Sequence, residues 1–128
     1  MIPNRIKLSK KATAKLRFLK SKTGLTPNIL SRVAIMLTIK EGSNLSNAGV
    51  GEMDGGQELN DTTLFGEHIA VYDILITQYI YDKKITLNTT ETIVAMVEIG
   101  VHKMGHIRHI EELCELNNNQ IPPAKQVT

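Results

Sequence analysis

The sequence predicts a mainly α protein, a compact helical domain with one short strand at its N-terminus. Three observations carry this expectation. Apolar residues recur at helical spacing in successive stretches, and those stretches open and close on residues that cap helices. Only one short segment, at the N-terminus, alternates with period 2. In a chain of 128 residues, one domain over 1–116 and a frayed, polar tail over 117–128 are expected. Hydrophobic residues make up 41% of the chain, aromatics only 4%, and Trp is absent, so the core must be aliphatic.

Asn4-Arg5-Ile6-Lys7-Leu8 alternates charged and apolar side chains, as a half-buried strand does. Ser9 is placed to cap a helix over residues 10–23, where Ala12, Leu16 and Leu19 form a narrow apolar seam. Gly24 then stops the helix, and Thr26-Pro27 starts another over residues 27–40. This second helix is apolar nearly all round, through Ile29, Leu30, Val33, Ala34, Ile35, Met36, Leu37 and Ile39. A helix with no wet face must be covered on several sides, which in a short chain points to a subunit interface as well as a core. Residues 42–66 hold six glycines and are expected to form a long flexible loop. A third helix is predicted over 67–82, with strand as an alternative at 74–81. Asn88 and Glu91 have the spacing of a capping box. They open a fourth helix with Ile93, Val94, Val97, Val101 and Met104 on its core face, and a last helical piece is expected at 107–116.

Charge is segregated along this order. Residues 1–40 contain ten Lys or Arg and no Asp or Glu, a formal +10. The remaining residues contain five and thirteen, a formal −8, so the net +2 conceals two opposed halves. Solvated helix faces ordinarily mix signs so that residues four apart pair. Lys10, Lys11, Lys15, Arg17, Lys20 and Lys22 have no acid within reach in sequence, and phosphates would supply the missing anions. Arg5 and Lys7 on one face of the strand extend the patch, and free backbone N–H groups near Thr26 and Asn28 suit an anion. Phe18 is the only aromatic among these cations, which favours duplex backbone contact over stacking on unpaired bases. No comb of Asn, Gln and Arg for reading base edges is present, so sequence specificity is not implied. The alternative is an adaptor whose basic lobe docks an acidic partner protein.

The strand, capped helix, glycine stop and second helix resemble the ribbon-helix-helix family of dimeric DNA binders. Arg5-Ile6-Lys7-Leu8 matches the ribbon, and Gly24-Leu25-Thr26-Pro27-Asn28 with Arg32 matches the turn and second helix. A resemblance covering nearly the whole chain is carried by Pro3-Asn4-Arg5-Ile6-Lys7-Leu8-Ser9, by Thr23-Gly24-Leu25-Thr26-Pro27-Asn28-Ile29 and by Thr63-Leu64-Phe65-Gly66-Glu67-His68. On these segments the sequence resembles the DndE family, the small subunit of the bacterial DNA phosphorothioation machinery. The resemblance implies a non-catalytic binder of double-stranded DNA with a liking for nicked duplex. It also implies a helical homo-oligomer, a tetramer in particular, that works beside other phosphorothioation subunits. The lysines of the first helix are the residues to which DNA contact carries over.

Other residue types point elsewhere only weakly. His102, His106 and His109 share a helical stripe with Glu98, but Gly105 interrupts it and a polar, solvated face is expected rather than a metal site. Cys114 stands among Glu111, Glu112 and Glu115, which disfavour a thiolate. A lone cysteine also excludes an intrachain disulfide and suits a reducing compartment. Asp54, Glu58 and Asp61 fit no calcium loop, and Gly49-Val50-Gly51 lacks the rest of a dinucleotide fingerprint. No catalytic residues, cofactor or metal are expected. No secretory signal or stretch of ~20 apolar residues is present, so a cytoplasmic protein with no membrane contact is expected.

Overall fold

The structure, a computed structural model, describes residues 2–45 and 55–105. Strand β1 (Arg5–Ser9) leads directly into helix α1 (Lys10–Thr23), and α2 (Pro27–Glu41) follows. Strand β2 (Gly55–Asn60) pairs antiparallel with β1, and α3 (Asp61–Phe65), a 3-10 turn (Gly66–His68), α4 (Ile69–Asp82) and α5 (Thr89–Lys103) complete the order.

The elements at the N-terminus form for the local reasons their residues suggest. Arg5 and Lys7 are exposed while Ile6 and Leu8 are buried, so the period-2 pattern orients the strand. The Ser9 hydroxyl accepts from the Ala12 N–H at 3.0 Å. Gly24 takes φ 78° and donates its N–H to the Lys20 carbonyl at 2.8 Å, closing α1 in a left-handed turn. Thr26 caps α2 by accepting from the Ile29 N–H at 3.4 Å, and Pro27 fills the first helical position. Asn88 and Glu91 form the reciprocal capping box at the start of α5.

Residues 42–66 are not one continuous loop. Gly55–Asn60 is a strand, with Arg5 opposite Asn60, Ile6 opposite Leu59 and Lys7 opposite Glu58. The segment Gly-Gly-Gln-Glu-Leu-Asn has little intrinsic strand preference; its conformation comes from satisfying the edge of β1. The register shifts between Lys7 and Ser9, where a Cβ at Gly56 would lie 2.0 Å from the Leu8 carbonyl oxygen. Only glycine permits so close an approach. The third predicted helix exists as α4, preceded by the 3-10 turn, and the strand alternative at 74–81 does not occur. Residues 46–54 lie outside the described residues. So do His106, His109, Cys114, the predicted piece at 107–116 and the tail.

The core is aliphatic, with Ile6, Leu8, Leu16, Leu19, Leu30, Ile35, Ile76, Ile93 and Met96 fully buried and Phe65 the one large aromatic among such residues. Burying each such side chain contributes roughly 1.5–3 kcal/mol. Helix α2 packs along α5 and also touches α1 and α3. Its apolarity is therefore met largely within the chain: Leu30, Ala34, Ile35 and Leu37 are covered, while Ile29 and Met36 remain open. The Thr38 hydroxyl lies 2.9 Å from both the Ala34 and Met96 carbonyls, joining the two helices with a buried polar group that is satisfied. Arg32 donates to the Thr63 carbonyl at 3.1 Å and to the Leu64 carbonyl, which ties α2 to α3. More extensive apolar exposure sits on α4, where Val71, Ile74 and Tyr81 are 53%, 69% and 80% exposed.

Candidate nucleic-acid interface

Helix α1 is fastened at its start and open along its outer face. Besides capping α1, the Ser9 hydroxyl donates to Glu98 Oε1 of α5 at 2.5 Å. Thr13 Oγ1 donates to the Ser9 carbonyl at 2.8 Å and accepts from the Gln57 N–H of β2 at 2.8 Å. These bonds and the seam of Ala12, Leu16 and Leu19 hold one side of α1 against β1, β2, α2 and α5.

The cations occupy both flanks of what is left. At ~100° per residue, Lys11, Lys15 and Lys22 fall on one flank and Lys10, Arg17 and Lys20 on the other. Ala14, Phe18 and Ser21 lie between them, opposite the seam. The surroundings agree with this division. Lys11 and Lys15 line a cleft of about 500 Å³ shared with His102 and Lys103 of α5. Arg17 and Lys20 line a second cleft of about 480 Å³, shared with Pro27 and the start of β2. Lys10 lays its methylenes over Gly55, in the space that a Cβ there would occupy. Lys22 Nζ stands 5.5 Å from the centroid of the Phe18 ring.

Among the described residues, ion pairs within 4.0 Å join Arg5 to Glu58, His68 to Glu67 and Lys103 to Glu41, and none involves a cation of α1. The two strand residues differ from those of α1. Arg5 lies 3.5 Å from Glu58, and Lys7 sits opposite the same residue in the ladder. That exposed pair contributes about 0–1 kcal/mol, but it places a carboxylate beside both cations. Sequence reasoning missed it because Glu58 belongs to a segment without strand periodicity. At the N-terminus of α2, the Thr26 cap already takes the Ile29 N–H that an anion would have used.

Sequence reasoning also missed what α5 brings to α1. His102 Nδ1 is 3.0 Å from Lys15 Nζ, within hydrogen-bonding distance of the lysine. Glu98, on the same helical stripe as His102, accepts from Ser9. The acids of the Lys11–Lys15 cleft are both engaged, Glu98 by that hydroxyl and Glu41 by Lys103 at 2.5 Å. His102 therefore faces a cation at the edge of the α1 surface. No group of three or more metal-ligating side chains occurs among the described residues. Asp61 accepts from the Thr62 N–H of its own helix at 2.7 Å. No described helix is long and apolar enough to cross a membrane.

Comparison with known proteins bears on this surface. The sequence profile described as "DndE: DNA sulphur modification protein DndE" matches residues 5–112. The crystal structure of DndE from Escherichia coli B7A, involved in DNA phosphorothioation modification, superposes with a TM-score of 0.67 at 26% identity, covering 81% of this chain and 98% of that one. A DndE variant with two glycine-to-lysine substitutions superposes with a TM-score of 0.62 at 27% identity, covering 80% of this chain and 99% of that one. No curated protein matches the sequence.

Proposed function

Since the chain belongs to the DndE family of DNA sulphur modification proteins, we propose that it is a non-catalytic subunit that holds double-stranded DNA by its phosphate backbone for phosphorothioation. One observation carries this reading. Six cations line an exposed helix, and among the described residues none lies within ion-pair distance of a carboxylate. Such a surface attracts a polyanion by releasing its counterions. The interface comprises Lys10, Lys11, Lys15, Arg17, Lys20 and Lys22, with Arg5 and Lys7 as weaker members beside Glu58. His102 of α5 borders the same surface through Lys15, whereas Lys103 is engaged by Glu41.

Few contacts per protomer make multivalency useful. In this reading the protein acts as a homo-oligomer, a tetramer, whose copies present several α1 helices to one duplex at high effective concentration. The exposed apolar residues of α4 offer the surface for that assembly. A nick lowers the cost of bending DNA onto a broad charged surface, which gives nicked duplex the advantage. Other phosphorothioation subunits supply the sulfur chemistry.

Fluorescence anisotropy on intact and singly nicked duplexes across a salt series tests this. Log affinity should fall steeply with log salt, by about 0.9 per phosphate neutralised. The triple change Lys15→Glu, Arg17→Glu, Lys20→Glu should abolish binding and leave the circular dichroism unchanged. Full affinity in the folded triple variant would remove α1 from the interface. No binding by the wild type at low salt would favour the adaptor reading.

A further inference from the structure

Helix α1 is more than a charged face; its shape is that of a ridge. Its crest is made of Ala14 and Ser21, both small, and Phe18, which is 46% exposed. On each side of the crest the surface drops into a cleft, and each cleft carries its own cations: Lys11 and Lys15 on one side, Arg17 and Lys20 on the other. A partner that bound a flat strip of charge would engage one row and leave the other idle.

We infer that α1 lies lengthwise in the major groove of duplex DNA, its crest toward the base edges and its two rows of cations on the phosphodiester strands at either side. This rests on the DNA-binding reading of the same helix. The dimensions agree. A helix with side chains is ~10–12 Å across, and the major groove is ~12 Å wide. The minor groove, at ~6 Å, is too narrow. Lys10 and Lys22 are separated by ~18 Å along the axis at ~1.5 Å per residue. That is about five base-pair steps at ~3.4 Å each.

The chemistry of the crest agrees too. Ala14 and Phe18 carry no hydrogen-bonding side chain, so they fill the groove without reading donors and acceptors. Apolar contact with the thymine methyl group is what they offer. Docking is then set by shape and charge and tolerates most sequences. A single strand has one backbone and leaves one row of cations unused, so duplex is the occupant that satisfies both.

Dimethyl sulfate footprinting of the wild-type protein on an end-labelled duplex tests the geometry, because it methylates guanine N7 in the major groove and adenine N3 in the minor groove. Binding is checked by anisotropy on the same sample. Guanine N7 should be protected and adenine N3 should keep its reactivity. Ala14→Phe and, separately, Ser21→Phe raise the crest at exposed positions; each should weaken duplex binding roughly tenfold with unchanged circular dichroism. Unprotected N7 in a sample that binds, or protection at N3 instead, would overturn the ridge geometry while DNA binding itself stands. Crest variants with wild-type affinity would overturn it as well. A wild type that does not bind at all would overturn both readings.

Discussion

Replacing Gly100 by alanine sets two physical effects against each other, and their sign decides whether the α2–α5 contact governs the fold. Gly100 lies inside α5, where alanine is favoured over glycine by ~0.8–1.0 kcal/mol on helix propensity alone. Its surroundings say the opposite. A Cβ built there falls 2.3 Å from the Ala34 carbonyl oxygen, 2.4 Å from its Cα and 2.5 Å from its carbonyl carbon. Carbon atoms rest at ~3.5–4.0 Å, so the helices must part by about 1 Å. The obstacle is backbone, which no rotamer change relieves. Overpacking of this kind costs about 1–3 kcal/mol and occasionally more. Separation would also loosen the Thr38 bond to Met96, now 2.9 Å, and the packing of Ile35 and Met96. Because backbone blocks the site, the upper part of that range applies, and we expect Gly100→Ala to be destabilising by about 1–2 kcal/mol after the propensity gain. At ~3–6 °C per kcal/mol for a domain between the ~100- and ~150-residue classes, Tm should fall by roughly 3–12 °C in a circular dichroism melt. Adding Ala34→Gly should not rescue it, because the colliding atoms are those of the main chain. A Tm at or above that of the wild type would refute the close-contact reasoning, and so would rescue by the second change.

Other expectations follow from the same structure. Ser9→Ala removes both the α1 cap and the bond to Glu98; it should cost about 0.5–2 kcal/mol in urea unfolding, and an unchanged midpoint would contradict the cap's role. Tyr79 donates to the Ser43 carbonyl at 2.6 Å, and burial raises its phenol above the ordinary range. A raised folded value means that its stabilisation is full below the unfolded pKa of ~10 and is lost as pH rises through the folded value. Tyr79→Phe should therefore cost about 0.5–1.5 kcal/mol at neutral pH, and the gap between variant and wild type should close in alkali; a constant gap would sink this. Ile74→Glu, at a position 69% exposed, should dissociate the proposed oligomer in sedimentation velocity without unfolding the chain. Leu37→Glu, at a position 6% exposed, should unfold it, and the reverse pattern would return the interface to α2.

Much of the architecture was legible because it is written in short-range chemistry. Ser9, Gly24, Thr26 and the pair Asn88 and Glu91 each act on backbone groups within a few residues, so their spacing alone marks where helices begin and end. The alternation of Arg5, Ile6, Lys7 and Leu8 likewise orients the strand without knowledge of its partner. The candidate surface was half legible. The six cations of α1 could be recognised from an acid-free segment, but Glu58, His102, Glu98 and Glu41 could not be set beside their partners. The origin of β2 was illegible for a related reason: its residues adopt a strand to complete β1 and have little preference of their own.

The sequence by itself determined the helical class, the caps, the aliphatic core and the concentration of positive charge ahead of residue 41. Each depends on composition or on contacts within about one helical turn. Tertiary structure alone decided that Arg5 meets Glu58, that Lys15 meets His102, and that α2 is covered largely by the chain's own helices while α4 stays open. It also decided that the charges of α1 straddle a ridge with a cleft on each side. These relations join residues tens of positions apart. They arise from how helices and strands close on one another, and no local period in the sequence records that packing.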